Sequence, residues 1–185
     1  EELEKKDEET WKKLKKSAGI LVPGGFGSRG TEGKIMAAQY AREKKIPYLG
    51  LCLGMQLMTI EFARHMLKNP KITSEEFDEE GKIGTENYII HFLPDQHKDK
   101  EKGGTLRLGI HPCKLQKGTK TYKLYGEEMV EERHRHRYEF NNEFRERLEE
   151  KGMIFSGINP KQNLIEIAEI KDHPFMIGSQ FHPEF

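Results

Sequence analysis

An α/β fold with a mostly parallel central sheet flanked by helices is what this chain predicts, on three observations. Two short apolar runs, residues 18–22 and 46–51, each stop at a glycine-containing turn, as buried strands do. Each is followed directly by a segment with helical spacing, the β-α alternation that lays helices over a parallel sheet. No apolar run approaches the roughly 18 residues of a bilayer span, so the apolar residues have a protein core as their destination.

The elements follow in order. Residues 1–16 are nearly all charged, with Trp11 and Leu14 as the main apolar marks, and are expected to form a solvated helix or a domain-edge segment. Residues 17–185 form the second expected unit, a single domain. Its first strand is Ala18-Gly19-Ile20-Leu21-Val22, ending at Pro23-Gly24-Gly25. Residues 33–45 read as a helix with Ile35, Ala38 and Ala41 on one side, residues 46–51 as a buried strand, and residues 56–67 as a second helix. Residues 87–93, 106–115 and 129–140 read as strands around a polar surface loop, 95–102. A helix over 142–151 and strands over 153–158, 164–170 and 175–181 complete the chain. In such a sheet ligands gather at the carboxyl ends of the strands.

Composition narrows the function classes. Lys plus Arg total 31 and Asp plus Glu total 31, so no global field favours nucleic acid or anionic lipid. The two cysteines, Cys52 and Cys113, show no disulfide framework, and the opening residues are charged rather than signal-like. A reducing, cytoplasmic compartment is the expectation, with no membrane insertion.

Gly50-Leu51-Cys52-Leu53-Gly54 sets a cysteine between two glycines at a strand-to-helix junction, the context of a nucleophile elbow. Small flanking residues let strand and helix approach, and the helix start favours thiolate over thiol. The backbone N–H of Leu53 then points where a tetrahedral oxyanion would form. The same pentapeptide also suits a small buried hydrophobe, and by itself it does not decide between the two. Cys113 has no such elbow and is read as structural.

Gly25-Phe26-Gly27-Ser28-Arg29-Gly30 matches the dinucleotide pattern G-x-G-x-x-G, but the strand that should end in a ribose-binding acid ends in Cys52. The Gly24-Gly25 pair instead offers bare backbone amides to an oxyanion hole. Gln180-Phe181-His182-Pro183-Glu184-Phe185 puts a histidine and a carboxylate two residues apart, projecting to one side of an extended segment. Alone that is equally a surface turn; joined to the elbow it completes a Cys-His-Glu set in which Glu184 orients His182. In Glu132-Arg133-His134-Arg135-His136-Arg137-Tyr138-Glu139, a strand would put arginines on one face and histidines on the other. A metal site and a nucleic-acid contact compete there with a carboxylate clamp, which suits the guanidinium fork best.

These segments, with Glu32-Gly33-Lys34-Ile35, Pro47-Tyr48-Leu49 and Gly103-Gly104-Thr105-Leu106-Arg107-Leu108-Gly109, resemble the glutaminase domain of the CTP synthase family, a branch of the class I glutamine amidotransferases. The elbow and the His-Pro-Glu ending are shared by all class I amidotransferases, whereas the segment Gly103 to Gly109 and the arginine-histidine strand, Arg133 to Arg137, point to this branch. The resemblance implies the flavodoxin-like class I fold, with opening strands expected before Glu1. It implies that Cys52 forms a glutamyl thioester, with His182 as base then acid and Glu184 as its partner. The oxyanion hole would fall on Gly24, Gly25 and Leu53. Substrate glutamine would be held by Gly25, Leu53, Gly54, Met55, Gln56, Glu76 and Arg133, the last on its α-carboxylate. Residues 103–109 resemble a lid used in activation by GTP and in ammonia transfer, with Leu106 in place of the usual methionine.

The resemblance further implies a synthetase domain of the same polypeptide that uses ATP and Mg2+ to aminate UTP, and a homo-oligomer, a tetramer, for the full-length enzyme. No metal and no cofactor are expected for the glutaminase half. The competing expectations are another class I amidotransferase, a peptidase on this fold, or a degenerate interaction module without turnover.

Overall fold

The computed structural model describes residues 1–92 and 107–185; the expected surface loop at 95–102 and the first residues of the lid segment, Gly103 to Leu106, lie outside them. The chain opens with α1 (Glu8–Lys15), capped by the Asp7 side chain, which accepts from the Thr10 N–H at 2.7 Å. None of its residues is fully buried, yet Leu3 and Leu14 pack against the core and Trp11 meets Tyr40 edge to face. The charged opening segment is thus a helix laid on the domain.

The first β-α unit is β1 (Ile20–Val22) followed by α2 (Thr31–Lys44), and the second is β2 (Tyr48–Leu51) followed by α3 (Leu53–Met66). The helix α3 is buried on every side from Leu53 to Ala63, which only a helix sandwiched in the core tolerates. Its one buried acid, Glu61, is held by a two-pronged bond from Arg42 of α2 at 2.8 and 2.7 Å. Then come β3 (Thr73–Ser74), a 3-10 turn at Glu75–Phe77, β4 (Tyr88–Phe92), β5 (Arg107–Leu115), α4 (Lys120–Tyr125), β6 (Met129–His136), β7 (Tyr138–Phe140), α5 (Arg145–Glu149), β8 (Met153–Ile158), β9 (Ile165–Ile170) and β10 (Met176–Ser179).

Seven strands form one sheet in the order β1-β2-β10-β9-β8-β5-β6. The expectation of a mostly parallel sheet is corrected here. Pairing is parallel at β1-β2 and β2-β10 but antiparallel at β10-β9, β9-β8, β8-β5 and β5-β6. Connection length is the reason. The links from β8 to β9 and from β9 to β10 are short loops without a helix, and only a helix-sized crossover can return a chain to a parallel neighbour. The strand expected over 129–140 also divides: β6 edges the large sheet, whereas β7 joins a second sheet, β3-β4-β7.

The parallel part positions the site. Val22 pairs with Gly50, and Leu51 pairs with Ser179, so the carboxyl ends of β1, β2 and β10 finish side by side. The ladder runs one step further, with Cys52 N–H donating to the Ser179 carbonyl at 2.7 Å.

Candidate active site

Cys52 occupies the turn between β2 and α3 with φ 51° and ψ −105°, a backbone state that costs a non-glycine residue about 1–3 kcal/mol. The two flanking glycines make it attainable. A β-carbon on Gly50 would lie 2.5 Å from the Gly54 carbonyl carbon, and one on Gly54 would lie 2.1 Å from the Val22 carbonyl oxygen. Any side chain at either place would push strand and helix apart.

The imidazole of His182 arrives from the end of β10. Its backbone N–H donates to the Arg133 carbonyl of β6 at 2.9 Å, and its Nδ1 lies 2.8 Å from Glu184 Oε1. A carboxylate only accepts, so Nδ1 carries the proton of this bond and Nε2 is left as the basic nitrogen of the neutral ring. One position touches both partners of the expected pair: a β-carbon on Gly24 would sit 2.8 Å from His182 Cε1 and 3.5 Å from Cys52 Cβ. Cys52 and His182, more than 120 residues apart in sequence, therefore both border the Gly24 backbone. Gly25 lies behind it, 3.1 Å from Leu53 at its own β-carbon position.

Electrostatics at the sulfur differ from the thiolate that a helix start alone suggests. Burial pushes the Cys52 thiol up to about 12; the Leu53 N–H works against that shift, and the carboxylates of Glu76, Glu139 and Glu184 add to it. Burial outweighs the helix start because α3 begins inside the core. In this state the sulfur keeps its proton and needs a base to remove it.

Of the other expected residues, Glu76 stands in the 3-10 turn, where Oε1 accepts from the Gly27 N–H at 2.8 Å. Burial raises its pKa, with Gly27 N–H and Arg137 acting the other way. Leu53 and Gly54 open α3 under the sulfur. Met55 and Gln56 are in the same turn, but their side chains are buried, Met55 against Gly178 and Gln56 against Tyr138 and Gln180. Their contribution to a ligand would come from backbone. Arg133 is exposed on β6 beside His182, on the face shared with Arg135, while His134 and His136 point inward as the alternation requires.

The inward histidines belong to a buried network that sequence reasoning did not assemble. Arg107 bonds Glu166 at 2.8 and 3.1 Å and Glu139 at 3.3 Å, His134 Nδ1 and His136 Nε2 are 2.9 Å apart, and His134 packs on Phe181. Burial and the charge of Arg107 keep both histidines neutral. A second contact also went unforeseen: Gln180 Nε2 donates toward Cys52 Sγ at 3.7 Å. The only signal was its place two residues before His182, since its neighbour across the sheet depends on register. Cys113 is fully buried, against Gly157, and burial drives its thiol pKa upward. Among the described residues no group of three or more His, Cys, Asp or Glu side chains could hold a metal ion, and no helix is long and apolar enough to cross a membrane.

Comparison with known proteins gives the family of the chain. The family model for class I glutamine amidotransferases matches residues 2–185. The CTP synthase of Caldanaerobacter subterraneus is 56% identical over 183 residues, covering 98% of this chain and 33% of that protein. The CTP synthase of Bacillus subtilis is 57% identical over 167 residues, covering 90% of this chain and 30% of that protein. The chain thus spans about a third of the length of the curated relatives it matches. Among solved structures, the glutaminase domain of the Trypanosoma brucei CTP synthase, with acivicin bound, superposes with a TM-score of 0.85 at 35% identity, over 96% of this chain and 67% of that one. On the match along its whole length, the chain belongs to the class I glutamine amidotransferase family.

Proposed function

We propose that this chain is the glutaminase portion of a CTP synthase and hydrolyses the side-chain amide of L-glutamine at Cys52. The observation that carries the reading is that Cys52 and His182 both border Gly24, with Glu184 bonded to the ring. His182 takes the proton of the Cys52 thiol as the sulfur attacks the amide carbon. The oxyanion is received by the Leu53 N–H and the Gly24-Gly25 backbone. The tetrahedral species collapses as His182 returns the proton to the leaving ammonia, giving a glutamyl thioester. Water, deprotonated by the same ring, then releases glutamate and restores the thiol. Glu184 holds the ring in the reactive tautomer and steadies it while charged.

Glu76 and Arg133 flank this centre with opposite charge, the complement of an α-amino acid, and Arg133 suits the α-carboxylate. The ammonia would serve amination of UTP by a synthetase domain of the same polypeptide, with ATP and Mg2+ bound there, GTP as activator, and a tetrameric whole enzyme in the cytoplasm. The similarity to CTP synthases along nearly the full chain supports that setting. No step of glutamine hydrolysis is routed through the metal, and the described residues hold no cluster for one. The test is ammonia release from glutamine: a slow, saturable rate for the chain alone, abolished by Cys52→Ala and by His182→Ala. A Cys52→Ala chain that releases ammonia at the unaltered rate would overturn the reading and favour a non-catalytic module.

A further inference from the structure

The surroundings of Cys52 oppose a charged sulfur, for the side chain is buried and three carboxylates lie within electrostatic reach. The Leu53 N–H and the start of α3 favour the charge. One more donor is aimed at the sulfur, the carboxamide nitrogen of Gln180.

A carboxamide can present either end, and only its nitrogen donates. Which end Gln180 presents is decided by two neighbours. The backbone carbonyl of Tyr138 can only accept, so the Gln56 atom facing it at 3.3 Å is Nε2. The same nitrogen faces Gln180 at 3.1 Å and donates, so the atom it meets is Oε1. Nε2 is left for the sulfur. Gln180 is 1% exposed and Gln56 4%, so water does not compete for either amide. Reversing Gln180 would oppose two NH2 groups and turn an oxygen toward the developing thiolate, both unfavourable in a low-dielectric interior. The main chain holds the arrangement: Gln180 N–H donates to the Glu166 carbonyl at 2.8 Å, in step with the Cys52–Ser179 bond.

We propose that Gln180 is the side-chain donor that stabilises the Cys52 sulfur as it becomes negative, and that Gln56 and the Tyr138 carbonyl are positioning groups that keep its amide nitrogen turned to the nucleophile. The proposal rests on the reading of Cys52 as the nucleophile. As the S–H bond breaks, the proton passes to His182 and the electron pair stays on sulfur, where the Gln180 N–H meets it. The same donor receives the sulfur when water expels it from the thioester.

Alkylation of Cys52 by iodoacetamide, followed on its peptide by mass spectrometry from pH 7 to 9, reads the thiolate directly. In the 185-residue chain, Gln180→Leu is expected to react about tenfold more slowly at every pH, a rate profile displaced upward by about one unit. Should that variant fail to melt cooperatively, the pair Gln56→Leu with Gln180→Leu removes both amides together, leaves the Tyr138 carbonyl its contact with His136 Nδ1 at 3.2 Å, and is expected to show the same displacement. A folded variant whose profile superimposes on the parent's, while the parent is alkylated at Cys52 and releases ammonia, overturns the role of Gln180 alone. A parent whose Cys52 is not alkylated and which releases no ammonia overturns the nucleophile and this inference together.

Discussion

In the proposed mechanism the burial of the Cys52 sulfur gives His182 its task. A thiol pushed up to about 12 is almost wholly protonated at neutral pH, so attack has to be coupled to proton transfer. The ring proposed to take the proton is held by Glu184, which is 38% exposed, so water can replace part of what the carboxylate does. Glu184→Gln is therefore expected to lower kcat by about 10²-fold, short of the about 10⁴-fold seen when the acid of a fully buried triad is amidated. Steady-state ammonia release checks this, with KM little changed because the residue does not face the substrate. Residues 50–54 and 182–184 were legible in the sequence because each acts over a few positions, where glycine spacing and strand alternation suffice. Gln180 was not, because its contact with Cys52 exists only once β2 and β10 are in register.

At the scale of elements, the two β-α units and the three closing strands follow from apolar runs and their punctuation. The direction of the closing strands does not, since alternation is the same in parallel and antiparallel neighbours, and loop length decides it. The passage of residues 129–140 from one sheet to the other was hidden for a like reason: the alternation continues through Arg137, and only the packing separates β6 from β7. The short helix α4 went unread although its signals are present, Thr119 as N-cap and Gly126 at φ 75° as its stop.

The glycines at the strand ends divide by what they touch. Gly54→Ala places a methyl group against the Val22 backbone and is expected to destabilise the fold by about 3 kcal/mol, read as a lower denaturant midpoint. Gly24→Ala presses on the His182 ring instead. It is expected to cut ammonia release at least tenfold while the midpoint moves little. Equal loss of stability in both variants would contradict this division.

The whole molecule carries an unusual load of buried charge where its two sheets meet. Arg107 from β5 and Glu166 from β9 belong to the large sheet, and Glu139 from β7 belongs to the small one. Burial pushes the Glu139 carboxyl up to about 8, with the Glu166 charge adding to the shift and Arg107 opposing it. The native chain then holds a proton that the unfolded chain gives up near its ordinary value of 4.5, so stability is lost as pH rises from there to about 8. Glu139→Gln should flatten that decline, and melting temperatures from pH 5 to 8.5 for the two chains test it; parallel curves would contradict it. None of this was legible in the sequence, where Arg107, Glu139 and Glu166 are ordinary charges on three separate strands.

In the proposed mechanism a reactive sulfur at the end of β2 is served by a ring from the end of β10. The most direct test is treatment of the chain with an electrophilic glutamine analogue, followed by peptide mapping. The predicted result is one adduct, on Cys52, with Cys113 untouched and the rate of capture sharply lowered in His182→Ala. An adduct elsewhere, or none at all on a chain that remains folded, would contradict it.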